Sequence, residues 1–233
     1  YKYNTTTYKG KEVQVATYRD LDGKAIFQKV RFVDDKQFFT IGKFKPLLYG
    51  MHLFKGNTKK LIITEGEIDC LSVAQVVGEY PVVSIPNGAA NAKEAIKHNL
   101  TWIEQFEEVI FCFDMDEVGQ KSVKEAAELI TLGKAKVMSL PLKDPNEMLK
   151  AGRVQELFKA TWNAQEFRPD GIVFGEELWE EVNKPIEWGY DYPFPTMTKL
   201  TYGIRIPEIY AFGAGTGVGK TTIIIEFQYD LAI

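Results

Sequence analysis

Two segments of alternating polarity, Val13-Gln14-Val15-Ala16-Thr17-Tyr18 and Ala25-Ile26-Phe27-Gln28-Lys29-Val30-Arg31-Phe32, flank Asp22-Gly23. Asp-Gly favours a tight turn with positive φ, so the pattern predicts an antiparallel hairpin. From position 61 the pattern changes to short continuous apolar runs, Leu61-Ile62-Ile63-Thr64, Pro81-Val82-Val83-Ser84-Ile85, Glu108-Val109-Ile110-Phe111-Cys112-Phe113 and Lys136-Val137-Met138-Ser139-Leu140. Between them, 67–77, 91–99 and 117–131 carry helical spacing. Buried strands alternating with helices predict an α/β domain, a mostly parallel sheet covered on both faces with its chemistry in the loops at the carboxyl ends of the strands.

After Trp162 the periodicity weakens. The stretch 163–195 contains Arg168-Pro169-Asp170-Gly171, a short amphipathic piece around 175–183 and Tyr192-Pro193-Phe194-Pro195, and it reads as a linker. Beyond it, Ile209-Tyr210-Ala211-Phe212 reads as a buried strand and the segment from Thr221 to Phe227 as a helix. The expected organisation is a basic N-terminal α+β subdomain over 1–60, the parallel-sheet domain over 61–162, the linker over 163–195 and the start of a second α/β domain over 196–233. Neither internal repeats nor low-complexity segments interrupt it.

With 233 residues, 45% of them hydrophobic, the chain can bury a real core and accommodates one domain plus part of another. No apolar run approaches the roughly 18 to 20 residues that cross a bilayer, so a membrane protein is not expected. The chain begins Tyr1-Lys2-Tyr3 with neither an initiator Met nor an apolar signal segment, and reads as a piece of a longer chain. Cys70 and Cys112 lie in apolar segments without partners at metal-ligand spacing, so they read as reduced core residues. The net charge of −4 conceals an asymmetry: residues 24–60 hold nine Lys/Arg against two Asp, a local +7, leaving the remainder at −11. A nucleic-acid groove beside an acidic metal site needs that polarity; a solvated lysine-rich face would also produce it.

Thr64-Glu65-Gly66-Glu67-Ile68-Asp69 places carboxylates directly after a buried strand and into the first turn of a helix. Glu67 fits an acid stabilised by the helix dipole. Glu65, before the flexible Gly66, can point into a cleft. Phe113-Asp114-Met115-Asp116-Glu117-Val118-Gly119 again follows a strand; Asp114 and Asp116, two apart, can face one side as hard oxygen ligands while Met115 points away. Such close carboxylates repel unless a cation lies between them. Lys143-Asp144-Pro145-Asn146-Glu147 follows the next strand, where Asp144 can join the same cleft or cap a helix. Near the C-terminus, Ala214-Gly215-Thr216-Gly217-Val218-Gly219-Lys220-Thr221 is a Walker A sequence with Ala214 at its first glycine position. Its glycines let backbone amides turn toward a β-phosphate, Lys220 reaches the β and γ oxygens, and the Thr221 hydroxyl ligates Mg²⁺.

Glu65-Gly66-Glu67-x-Asp69, Asp114-Met115-Asp116-Glu117-x-Gly119 and Lys143-Asp144-x-Asn146-Glu147 resemble the acidic motifs of Toprim domains, in particular those of the bifunctional primase-helicases of T7-type phages. The similarity runs from about Gln28 to the end. The resemblance implies a Toprim parallel-sheet domain, a linker and the truncated start of a RecA-like P-loop domain. It implies RNA primer synthesis on a single-stranded DNA template, with Glu65, Asp114 and Asp116 catalytic and Glu65, Asp114, Asp116 and Asp144 holding Mg²⁺ or Mn²⁺. Lys29, Arg31, Lys36, Lys43, Lys45 and Asp69 would contact nucleotide or template, and residues 214–221 would bind ATP or another NTP to drive DNA unwinding.

The partners so implied are nucleoside triphosphates, the RNA primer, a replicative DNA polymerase and, in the full-length protein, a homo-oligomeric ring in the cytoplasm of a phage-infected bacterium. Zinc is implied only for an N-terminal module not contained in this sequence. Two other readings keep the architecture: a Toprim module without primase activity serving DNA binding and ring assembly, and a Toprim nuclease or topoisomerase.

Overall fold

The computed structural model describes residues 1–34, 37–55, 59–169 and 175–232. It divides into two compact units, Tyr1–Ile172 and Val173–Ile233.

The Asp22-Gly23 turn forms, with Gly23 at φ +82°, and joins β2 (Lys11–Arg19) to β3 (Ala25–Phe32) as an antiparallel pair. Two further strands, β1 (Tyr3–Tyr8) and β4 (Phe38–Gly42), complete a sheet of order β1-β2-β3-β4. These outer strands are largely exposed and carry no alternating apolar pattern, which is why only the inner hairpin was predicted. Cross-strand register puts Tyr3, Ala16 and Lys29 on one rung, and Gln14, Arg31 and Phe38 on the next rung of the same face. Further along that face Tyr18 stacks on Phe27, centroids 4.3 Å apart, and both are buried.

The four predicted buried runs become β5 (Lys60–Thr64), β6 (Val82–Ser84), β7 (Glu108–Cys112) and β8 (Ala135–Val137). The predicted helices appear as α1 (Glu67–Val77), α2 (Ala92–Ile103) and α3 (Glu117–Ala127). Strand order is β6-β5-β7-β8-β9, the first four parallel. The edge strand β9 (Gln165–Glu166) runs antiparallel to β8, although it falls within the stretch read as linker. At two exposed residues it is too short to leave a hydrophobic pattern. Before it, α4 (Pro145–Lys150) and α5 (Val154–Trp162) pack on the core through Met148 and Leu157. The chain runs from β5 outward to β6, then returns through α2 past β5 to β7. This reversal opens a crevice at the carboxyl ends of β5 and β7, where open α/β sheets place their ligands. Cys70 and Cys112 are free and buried.

The second unit contains α6 (Gly175–Val182), α7 (Pro195–Thr201) and α8 (Lys220–Ala232), with an antiparallel bridge between Tyr190 and Ile204. Tyr192 and Phe227 are buried in an aromatic cluster with Phe194 and Phe212. The strand expected at Ile209–Phe212 does not form. A buried parallel strand needs hydrogen-bonding neighbours, and no described residue pairs with this segment, leaving Ile209 96% exposed. Among the described residues no helix is long and apolar enough to cross a membrane.

Candidate active site

The parallel register of β5 with β7 sets Thr64 opposite Cys112, so the residues just past these strand ends meet. Glu65 lies between two backbone amides: its Oε1 accepts the Ala89 N–H at 3.2 Å and its Oε2 accepts the Asp114 N–H at 3.3 Å. The Ala89 amide is presented by a turn through Asn87 and Gly88, both with positive φ. Burial, then the neighbouring Asp114, holds the Glu65 carboxyl above its ordinary range.

Asp114 is likewise pushed up, first by burial and further by Asp144 and Asp116, against the opposing pull of Lys143. Asp116 caps α3, its Oδ1 accepting the Gly119 N–H at 2.9 Å. Gly119 is required by close approach: a Cβ there would stand 2.3 Å from the Asp114 carbonyl oxygen. Met115 packs against the core, as its position between the two acids implied. The Oδ2 atoms of Asp114 and Asp116 converge on one cation, the Lys143 ammonium, at 3.2 and 3.6 Å. Asp114 foremost raises the Lys143 pKa.

Asp144 caps α4, accepting the Glu147 N–H at 2.7 Å, so the capping alternative raised by its sequence is realised. Asp69, on α1, accepts the Asn146 N–H at 3.3 Å and thus faces the start of α4. Burial, with Asp144 and Asp114 nearby, pushes Asp69 up to about 7. The cleft is therefore an array of desolvated, mutually repelling carboxylates, and hard oxygen donors in that state fit a divalent cation. Among the described residues no three His, Cys, Asp or Glu side chains already enclose one point. Asp114 and Asp116 offer two ligands, the usual protein share for Mg²⁺, which keeps waters and substrate phosphates for the rest.

Lys29 and Arg31 line a cavity of about 320 Å³ with Tyr3, Gln14, Phe38 and Gly66, the residue after Glu65. Lys29 is paired with Glu67, 3.0 Å from its Oε1. Lys43 and Lys45 are exposed, and among the described residues neither is paired with a carboxylate. Lys36 lies outside the described residues. Lys143, Glu67 and the Ala89 amide were not singled out as site groups from sequence. Lys143 was within reach, since it stands in the third acidic motif; Glu67 looked like a plain first-turn acid, and a backbone amide leaves no mark in sequence. In the second unit, Gly217 and Gly219 of the P-loop take positive φ, and the Lys220 ammonium donates to the carbonyls of Ala214 and Gly215 at 2.8 and 2.7 Å.

Residues 62–149 match the family described as Toprim-like, and residues 1–42 match the bacteriophage T7 DNA helicase/primase N-terminal a+b fold. The DNA helicase/primase of Enterobacteria phage T3 is 39% identical over 218 residues, 91% of this chain, and this chain spans 38% of that relative's length. The crystallised primase fragment of the bacteriophage T7 primase-helicase is 44% identical with a TM-score of 0.66, covering 69% of this chain and 67% of that one. A primase domain in complex with the T7 lagging-strand DNA polymerase, bound to an RNA/DNA hybrid and dTTP, is 44% identical with a TM-score of 0.67, covering 71% and 84%. With the acidic motifs, the strand order and these relatives in agreement, the chain belongs to the T7-type phage primase-helicase family.

Proposed function

We propose that the first unit synthesises RNA primers on single-stranded DNA. The observation that carries this reading is the convergence of Asp114 and Asp116 on a single cation beside Glu65, at the reversal point of the parallel sheet. A 3′-hydroxyl would attack the α-phosphorus of a nucleoside triphosphate, with pyrophosphate leaving. Mg²⁺ or Mn²⁺ bound by Asp114 and Asp116 would neutralise charge developing on the phosphoryl oxygens and favour ionisation of the hydroxyl.

The remaining tasks fall to the chain itself. Glu65, fixed by two amides and with its pKa raised, has lone pairs left to accept the hydroxyl proton. Asp144 and Asp69 complete the acidic wall. Lys29 and Arg31, on one sheet face, receive triphosphate or template phosphates, and the exposed Lys43 and Lys45 extend that basic path.

In the second unit, the P-loop from Ala214 to Thr221 would bind ATP or another NTP as part of a ring-forming helicase. Lys220 would exchange the loop carbonyls for β and γ oxygens. The DNA template, RNA primer, replicative polymerase and an infected bacterial cytoplasm belong to this same reading; the T7 complex, with its polymerase and RNA/DNA hybrid, supports the first three.

The test supplies a short RNA primer annealed to single-stranded DNA, labelled ribonucleotides and Mg²⁺, with a chelator control. Metal-dependent extension is expected. Strand scission without nucleotides would establish the nuclease reading instead, and DNA binding without extension would establish the non-catalytic module.

A further inference from the structure

Glu67 differs from the other carboxylates of its loop. It opens α1 two residues after Glu65, yet its partners lie on the antiparallel sheet. The residue is 8% exposed. The Tyr18 hydroxyl donates to its Oε1 at 2.5 Å, and the Lys29 ammonium is 3.0 Å from Oε1 and 3.2 Å from Oε2.

Each member of this trio is restrained from a different side. Tyr18 is fully buried and stacked on Phe27, so its hydroxyl is a fixed donor. Glu67 is fixed by the helix it begins. Lys29 is the adjustable member, a long chain whose ammonium would otherwise sample many rotamers. Held at Glu67, it also lies 5.2 Å from the centre of the Phe38 ring. The ammonium is thereby kept on the wall of the cavity that also holds Arg31, Gln14 and Tyr3. Arg31 is one same-face rung away. Because Glu67 neutralises Lys29, the cavity avoids two unbalanced cations side by side, while Arg31 and the remaining ammonium N–H groups stay available to an anion. The cavity wall at Gly66 adjoins Glu65, so an anion seated there is next to the acidic cleft.

We propose that Glu67 is a positioning residue for the incoming nucleoside triphosphate, acting through Lys29: it fixes the ammonium beside Arg31 so that the pair receives the phosphates. This rests on the primase reading of the neighbouring cleft, and the experiment separates the two.

Binding of a fluorescent ATP analogue with Mg²⁺ is measured on the full chain in a Lys220→Ala background, which removes the P-loop contribution, for Glu67→Gln, Lys29→Met and the double variant. KM and kcat for nucleotide are measured in primer extension on the same set. Glu67→Gln is expected to weaken binding and raise KM about tenfold with kcat changed less than twofold, and to add nothing once Lys29 is Met. Glu67→Asp keeps a carboxylate beside Lys29 but withdraws it by one methylene, so the same rise in KM is expected from a protein that retains the charge pair. Unchanged binding in Glu67→Asp or Glu67→Gln overturns the proposal, as does a Glu67→Gln effect that persists in the Lys29→Met protein. Weaker binding in Glu67→Gln than in a wild type that binds nucleotide yet never extends a primer would leave this proposal standing and remove the primase reading.

Discussion

The Oε2 of Glu65 accepts the backbone N–H of Asp114 at 3.3 Å, across the join of two parallel strands whose ends are aligned as Thr64 opposite Cys112. One carboxylate thus reports on the register of the sheet and the placement of the next acid. Glu65→Gln retains the shape but loses one acceptor oxygen, so one of two backbone N–H groups faces an amide NH₂. Primer extension is expected to fall about 10² to 10⁴-fold, the range for a positioned proton acceptor. Because the lost carboxyl is held above its ordinary pKa by burial and Asp114, relief of that cost offsets the lost acceptor, and the melting temperature in chelator is expected to change little. Single-turnover extension and calorimetry on one preparation check both halves.

Gly119 tests how tightly the loop is built. A Cβ at 2.3 Å from the Asp114 carbonyl oxygen forces the Asp114–Gly119 turn to shift, so Gly119→Ala is expected to cost about 1 to 3 kcal/mol and to reduce extension as Asp114 and Asp116 move. Denaturant unfolding gives the first and primer extension the second. Wild-type stability in this variant would contradict the packing described.

The acidic wall predicts a pH dependence. Asp69 is raised to about 7 by burial and by Asp144 and Asp114, well above an unfolded carboxyl near 4. Between those values the folded chain binds more protons than the unfolded one, so stability is greatest below about pH 4 as far as this group is concerned and is lost as pH rises through 7. Glu65 and Asp114, shifted the same way, act in the same direction. Melting in chelator should therefore fall between pH 5 and pH 8, Mg²⁺ should recover part of the loss at pH 8, and Asp69→Asn should flatten the curve. A melting temperature that climbs over this range in chelator would be inconsistent with it.

Tyr18→Phe removes the donor at 2.5 Å from Glu67 Oε1 in a fully buried setting. Leaving that oxygen one partner short is expected to cost about 1 to 3 kcal/mol. Urea unfolding measures it, and a neutral result would mean that the hydroxyl is replaced by water.

Much of this architecture could be read from residues alone. The runs at 61–64 and 108–113 announce strands because both faces of a parallel strand are buried, and the acids following them land in one crevice because strand ends of a parallel sheet lie side by side. The fourth candidate metal ligand, Asp144, was ambiguous since capping and cleft positions need the same residue type. Features set by tertiary context escaped notice. The exposed outer strands β1 and β4 have no apolar alternation, and β9 is held only by its pairing with β8. Glu67 resembled an ordinary first-turn acid because its partners Tyr18 and Lys29 are 49 and 38 residues away in sequence. Ile209–Phe212 carries a strand pattern without neighbours to pair with among the described residues.

The central claim is tested most directly by incorporation of labelled ribonucleotides into an RNA primer on single-stranded DNA, comparing wild type with Asp116→Asn in Mg²⁺. Asparagine keeps the oxygen that caps α3 through the Gly119 N–H, so the fold is retained and only the charge is removed. The account predicts metal-dependent extension by the wild type and a loss of at least about 10²-fold in the variant. Extension by Asp116→Asn at the wild-type rate would contradict it.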